Sequence, residues 1–225
     1  MNDEFGALIP AFNEAGHIDR VIRGVAGQIP ASNILVIDDG SSDNTVSEAQ
    51  DTGVEVVRNP VNLGKGATLL KGFDLMARNT GIDAVFTLDA DGQHDPVEMA
   101  SFITAFRDRK ADIVIGSRMA DTKGMPALRR FTNRFTSAII SLRAGVRIED
   151  TQSGYRLVRL SMMKQLHLVT RNFDLESEIL IKAARLGAVI VSVPIATIYG
   201  EEKSKINPLV DTWRFLKLVF RSFLW

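Results

Sequence analysis

Short apolar runs alternating with helix-length amphipathic stretches restrict this chain more than any other feature. Phe5-Gly6-Ala7-Leu8-Ile9-Pro10 ends in proline and reads as a buried strand; Ile34–Ile37, Val54–Val57, Ala84–Leu88 and Ile113–Ile115 follow, and Val189–Val193, closed by Pro194, comes later. Helical patterns fill the gaps. One follows Asn13-Glu14 with apolar positions at Ile18, Val21, Ile22 and Val25, and a second runs through Val46 and Ala49. A third runs from Lys65 to Arg78, and a fourth from Pro96 to Arg109 with proline in its first turn. This β-α-β-α order, kept over about 115 residues, predicts an α/β fold with a mostly parallel central sheet and helices on both faces. Ligands of such sheets bind beyond the carboxyl ends of the strands. The polar stretches that directly follow strands, Asn13-Glu14, Asp38 to Ser42 and Asp89 to Gln93, are therefore expected on one edge.

Composition removes several classes of function. With 225 residues there is room for one large α/β domain or two small ones. Lys plus Arg number 27 and Asp plus Glu number 27, so no global field draws the chain to nucleic acid. The absence of cysteine excludes disulfides and thiolate zinc sites and fits a reducing compartment. Met1-Asn2-Asp3-Glu4 is acidic and leads straight into the first strand, unlike a signal peptide. No apolar run approaches the ~20 residues needed to span a bilayer.

The polar stretches carry the chemistry. In extended backbone, Asp89 and Asp91 project to one side of the chain. Paired hard-oxygen ligands suit Mg²⁺ or Mn²⁺, which in turn holds phosphate, although an isolated Asp-Ala-Asp also reads as a solvated turn. Asp38 and Asp39 offer acceptors to a base or ribose, whereas Asp43-Asn44-Thr45 reads as a helix cap. Lys65, between Gly64 and Gly66 at a helix start, can meet a diphosphate or simply be solvated; no Ser or Thr follows it in the frame of a Walker loop. In the second half, Gly116-Ser117-Arg118 ends the fifth strand. Beyond it lie Arg129, Arg130 and Arg134, interleaved with a helical stripe of Phe131, Phe135, Ile139 and Leu142. Arg130 and Arg134 are four apart and share a face, which with Arg118 makes a candidate phosphate clamp; a solvated basic face is the alternative.

Ile9-Pro10-Ala11-Phe12-Asn13-Glu14, Asp38-Asp39-Gly40-Ser41-Ser42-Asp43, Asn62-Leu63-Gly64-Lys65-Gly66 and Asp89-Ala90-Asp91-Gly92-Gln93 occur here in the order seen in family 2 glycosyltransferases of the GT-A fold. Nearly the whole chain resembles dolichyl-phosphate mannose synthase-like enzymes, including bacterial polyprenyl-phosphate glycosyltransferases. The resemblance implies that Pro10, Ala11, Asn13, Glu14, Asp38, Asp39 and Gly40 hold the base and ribose. Lys65, Asp89, Ala90 and Asp91 then complete the nucleotide-sugar site, and Asp89, Asp91 and Gln93 engage the metal. It also implies an acceptor-phosphate site of Arg118, Arg130, Arg134, Ser204 and Lys205. Asp150-Thr151-Gln152-Ser153-Gly154-Tyr155-Arg156 resembles a pocket-shaping segment of the same enzymes, with Gly154 permitting a close backbone approach or making an ordinary turn.

Asp174 and Glu176 fall where hydroxyl-using relatives place a catalytic base, although acidic residues at a helix start also complement its dipole. Asp91, Arg118, Asp174, Glu176 and Lys205 are thus the expected catalytic groups. Tyr199 to Pro208 reads as a lid, with Lys203, Ser204 and Lys205 facing phosphates, or as plain linker. The last helix carries Leu209, Trp213, Leu216, Phe220 and Leu224 on one side and Arg214, Lys217 and Arg221 on another. This is the pattern of a membrane-surface element or of a helix packed on its own domain. The expected organisation is a GT-A domain over 1–199, with a nucleotide-sugar half (1–115) and an acceptor half (116–199), and a lid plus amphipathic helix over 200–225. The expected activity is metal-dependent, inverting transfer from a nucleotide sugar of GDP-mannose or UDP-glucose type to a polyprenyl phosphate, peripheral on the cytoplasmic membrane face. Transfer to a saccharide hydroxyl, nucleotidyl transfer and nucleotide-sugar binding without turnover are the competing readings.

Overall fold

The computed structural model describes residues 3–79, 81–120, 122, 124–172, 174–196 and 208–225, the last segment with side chains from 212. The strands are β1 (Phe5–Ala11), β2 (Ile34–Asp38), β3 (Glu55–Arg58), β4 (Ala84–Thr87), β5 (Ile113–Ser117), β6 (Arg156–Arg159) and β7 (Ile190–Pro194). They form one sheet in the order β3-β2-β1-β4-β6-β5-β7. Every pairing is parallel except those of β6, which runs antiparallel to both β4 and β5. The mostly parallel sheet follows the expectation; β6 is an addition, beginning at Arg156, the last residue of the segment read only as pocket-shaping.

Helices α1 (Ile18–Ala26), α2 (Thr45–Gln50), α3 (Lys65–Met76), α4 (Met99–Asp108), α5 (Ala127–Ala144), α6 (Leu160–Met163), α7 (Leu175–Arg185) and α8 (Pro208–Arg221) cover the sheet. Pro96–Glu98, expected as the first turn of α4, forms a separate 3₁₀ turn capped by Asp95. Strand alternation sorts the core into two layers. Phe5, Ala7 and Ile9 of β1, with Phe86 of β4, pack on Ile18 and Ile22 of α1 and Phe102 and Phe106 of α4. Leu8 and Val85 face the other way, onto Leu69 and Phe73 of α3, Ile140 of α5 and Leu180 of α7.

Helix α5 reverses the simple reading of its stripe. Phe131 is 67% exposed, Phe135 56% and Leu142 81%, while Asn133, Ser137, Ile140 and Ala144 face inward. The buried hydroxyls have partners: Ser137 Oγ lies 3.1 Å from Thr151 Oγ1 and accepts from the Thr151 amide at 2.9 Å. Trp213, Leu216 and Phe220 along α8, and Leu224 beyond it, are also exposed, whereas Leu218 and Ser222 are buried. Arg143 of α5 joins the two helices by donating to Ser222 Oγ at 2.9 Å and lying 3.7 Å over the Phe223 ring. No helix among the described residues is long and apolar enough to cross a membrane.

Candidate active site

The three polar stretches do converge. Asn13 holds φ of 51° at the end of β1, and its amide donates to Ser41 Oγ at 2.9 Å while its side-chain oxygen accepts from the Ser42 amide. The Glu14 amide donates to Thr45 Oγ1 at 2.8 Å. Asp43 precedes the α2 N-cap residue Asn44 and accepts from the Thr45 amide, the first of the helix, at 3.0 Å. The loops after β1 and β2 are thus one hydrogen-bonded unit, with Pro10 and Ala11 ending the strand beneath it.

Asp38 and Asp39 are both buried but differently engaged. Asp38 Oδ2 accepts from the amides of Gly40 and Ser41 and lies 3.4 Å from Arg58 Nε, while its Oδ1 is buried without a partner. Asp39 accepts from Asn59 Nδ2 and from the amides of Leu63 and Gly64, each at 2.9 Å. Its carboxylate therefore fixes the loop that delivers Lys65 at the start of α3.

Lys65 is the hub of the site. Its Nζ is 2.7 Å from Asp89 Oδ1 and 3.4 Å from Glu176 Oε1, drawing together the ends of β4 and the starts of α3 and α7. Burial opposes the lysine's charge, but Asp89 and then Glu176 outweigh it and hold its pKa above the usual value. Burial likewise opposes the Asp89 charge, and the Lys65 ammonium overcomes it, keeping that carboxyl below its usual range. Gly154 forms the wall: a β-carbon there would sit 2.8 Å from Asp89 Oδ2 and 2.9 Å from Lys65 Nζ, so only glycine admits both head groups. Gly66 serves a similar end, since its β-carbon would meet the Arg171 and Asn172 backbone at about 2.5 Å.

Past Asp89, Ala90 is buried, and Asp91 Oδ1 accepts from the Gln93 amide at 3.0 Å. Arg118 is buried at the end of β5 and grips Asp150 side-on, Nε to Oδ2 at 2.7 Å and Nη2 to Oδ1 at 2.9 Å. Arg156 lies in the interior strand β6 and donates to the carbonyls of Ser153, Thr151 and Glu176 at 2.8–2.9 Å. Burial depresses its pKa. Asp174 accepts from the Asn172 amide, and burial raises its pKa. Arg129, Arg130 and Arg134 ride on α5 and make no ion pair or side-chain hydrogen bond among the described residues. Lys203, Ser204 and Lys205 lie outside the described residues.

Three residues of this cluster had no role in the sequence reading. Asp150 and Arg156 bracket the segment noted only as pocket-shaping. His94 follows Gln93; it is buried, lies 5.1 Å from the Tyr155 ring, and its Nδ1 has no partner. Burial pulls its pKa down to about 4. Its place directly after the carboxylate stretch was the available signal.

Residues 7–166 match the profile of Glycosyl transferase family 2. The chain belongs to this family. Among its relatives, the UDP-N-acetylglucosamine–dolichyl-phosphate N-acetylglucosaminyltransferase of Methanococcus voltae is 32% identical, over 86% of this chain and 85% of that one. The undecaprenyl-phosphate mannosyltransferase of Micrococcus luteus is 29% identical, over 86% and 83%. The fold matches glucosyl-3-phosphoglycerate synthase of Mycobacterium tuberculosis in complex with UDP, with a TM-score of 0.75, 19% identity, and 98% and 80% of the two chains covered. Crystals of that synthase also hold Mn²⁺ with UDP-glucose and glycerol 3-phosphate, or Mg²⁺ with UDP. This family 2 enzyme is therefore a glycosyltransferase built on a GT-A-like sheet, with relatives named for transfer to polyprenyl phosphates.

Proposed function

We propose that this glycosyltransferase moves a sugar from a nucleotide sugar to the phosphate of a polyprenyl phosphate, inverting the anomeric carbon, with Mg²⁺ or Mn²⁺ at the donor diphosphate. The observation that carries the reading is the convergence of Lys65, Asp89 and Glu176 beneath Gly154 at the strand ends. The activities for which the two relatives are named supply the acceptor class.

In this reading residues 1–115 bind the donor. Asp38 Oδ1, buried without a partner, supplies an acceptor for a base N–H, within the frame formed by Pro10, Ala11, Asn13, Glu14, Asp39 and Gly40. Asp89, Asp91 and Gln93 would hold the metal. All three offer hard oxygen, and a small divalent ion that keeps water and takes one or two carboxylates plus substrate phosphates suits such an open set. The described residues contain no group of three or more acidic or histidine ligands; an open set of this kind requires none. When bound, the ion stabilises charge on the departing diphosphate as a Lewis acid. Lys65, next to Ala90 and Asp91 through its grip on Asp89, orients that carboxylate and adds fixed positive charge.

Residues 116–199 take the acceptor. Arg118, its plane fixed by Asp150, faces the acceptor phosphate, joined by Arg130 and Arg134 of α5 and by Ser204 and Lys205 of the lid segment. A phosphate monoester, with its second pKa near ~6, is already ionised at neutral pH and needs no general base. Asp174 and Glu176 then orient rather than deprotonate. The exposed apolar faces of α5 and α8, joined by Arg143, support peripheral docking on the cytoplasmic membrane face, where the lipid chain is delivered. The test is mass spectrometry of lipid extracts after incubation with polyprenyl phosphate, a donor panel and Mg²⁺ or Mn²⁺. A sugar-phosphate lipid supports the reading; its absence with every donor overturns it.

A further inference from the structure

A second cluster of cations lies outside the reacting groups. Helix α8, residues 169–172 and Asp174 enclose a cleft of about 270 Å³, lined by Arg171, Arg214, Lys217 and Arg221 and, among the described residues, by one carboxylate, Asp174. Positions 214, 217 and 221 stack on one face of the helix. Three cations in or just beyond helices elsewhere on this molecule are neutralised by carboxylates one turn away, Arg23 by Asp19, Arg78 by Asp74 and Lys182 by Glu178, whereas the α5 arginines are not. Lys217 and Arg221 make no such pair among the described residues. Like charges stacked at helical spacing repel, so a face built this way gains from an anion held between its members.

The opposite wall is fixed in advance. Buried Glu178 accepts from the amides of Val169 and Thr170 and from Thr170 Oγ1, and the Arg171 carbonyl accepts from the Ala67 amide at 2.9 Å. Ordering that wall costs nothing further on binding. The helix also shows the direction from which a ligand arrives. Leu218 and Ser222 are buried, Trp213 and Phe220 are 68% and 73% exposed, and the basic row runs between these two flanks. A helix lying in the bilayer interface with its tryptophan and phenylalanines among acyl chains would hold that row at headgroup depth.

We propose that this cleft is a second phosphate site, which takes the phosphate monoester of a lipid headgroup. Guanidinium forks from Arg171, Arg214 and Arg221 match phosphate oxygens in pairs, and Lys217 adds a point charge. The inference stands on the cleft's own charge and place, and does not require the transferase reading.

The test is co-sedimentation of the full chain with phosphatidylcholine vesicles carrying either phosphatidic acid, a monoester, or phosphatidylglycerol, a diester, at matched surface charge and fixed salt. Wild type is expected to prefer phosphatidic acid. The exposed double variant Lys217→Ala/Arg221→Ala, with an unchanged circular dichroism spectrum, is expected to lose roughly 10- to 30-fold of that affinity. Arg221→Lys, which keeps the charge but not the fork, should lose the preference for the monoester. Equal binding of both lipids would reduce the cleft to a diffuse basic surface, and an unaffected double variant would overturn it. Saturable binding of inorganic phosphate without vesicles, seen by phosphorus NMR and lost in the double variant, would assign the cleft to free phosphate and refute the lipid.

Discussion

Replacing Gly154 by alanine separates the reacting cluster from the fold. The new methyl would stand 2.8 Å from Asp89 Oδ2 and 2.9 Å from Lys65 Nζ, inside normal contact by about 0.6 Å if carbon and polar atoms meet near ~3.5 Å. Both obstacles are the ends of side chains, so the conflict is relieved by pushing Asp89 and Lys65 aside rather than by moving backbone. Gly154 does not occupy the left-handed region, so alanine fits its backbone, and the lost flexibility of the unfolded chain offsets part of the strain. Stability in urea should therefore change by no more than about 1 kcal/mol. Catalysis is less forgiving. Misplacement of positioning groups by ~1 Å costs on the order of 100-fold, so kcat is expected to fall about 10- to 100-fold, or roughly 1.4–2.7 kcal/mol in barrier. Steady-state transfer assays and urea melts of the same preparation decide it. Wild-type turnover in a stably folded variant would refute the placement of Asp89 and Lys65 at the reaction centre.

Asp150→Ala removes the side-on carboxylate partner of the buried Arg118 guanidinium and should cost about 3–5 kcal/mol in urea unfolding; a loss under ~1 kcal/mol would contradict the tight pair. Asp174→Asn should preserve most transfer to a phosphate acceptor, which needs no base, and loss of more than about 100-fold would favour a hydroxyl acceptor instead. His94 is neutral in the folded protein down to about pH 4, while the unfolded chain takes up its proton near 6.5. Between these values the unfolded state binds more protons, so stability falls as pH falls, by up to about 3 kcal/mol from this residue. Urea melts at neutral pH and at the acid end of that window, compared with His94→Gln, should show a shallower loss in the variant; equal slopes would place the titration elsewhere.

The sheet and its ligand edge were legible because six strands are short apolar runs ended by polar turns or proline. Strand β6 was not, because Arg156-Leu157-Val158-Arg159 offers two apolar residues between arginines, and charged residues read as surface. Only the fold reveals three backbone carbonyls that satisfy the buried Arg156. The α5 stripe was visible as periodicity, but periodicity does not state which face turns inward; Ser137 and Thr151 satisfying each other allows the polar face to be the buried one. In the site, the strand-end rule brought Asn13, Asp38 and Asp89 to one edge. It could not foresee that Asp39 is occupied with holding the Lys65 loop, nor that Asp150 fixes Arg118, since both depend on contacts between distant segments.

The central claim is that an acceptor phosphate oxygen attacks the anomeric carbon. Donor nucleotide sugar carrying a heavy oxygen isotope in the bond between that carbon and the diphosphate tests it most directly. With polyprenyl phosphate and Mg²⁺ or Mn²⁺, the label is predicted to leave wholly with the nucleoside diphosphate, one per lipid-linked sugar formed. Label retained in the lipid product, or nucleoside diphosphate released with no sugar on the lipid phosphate, would contradict the account.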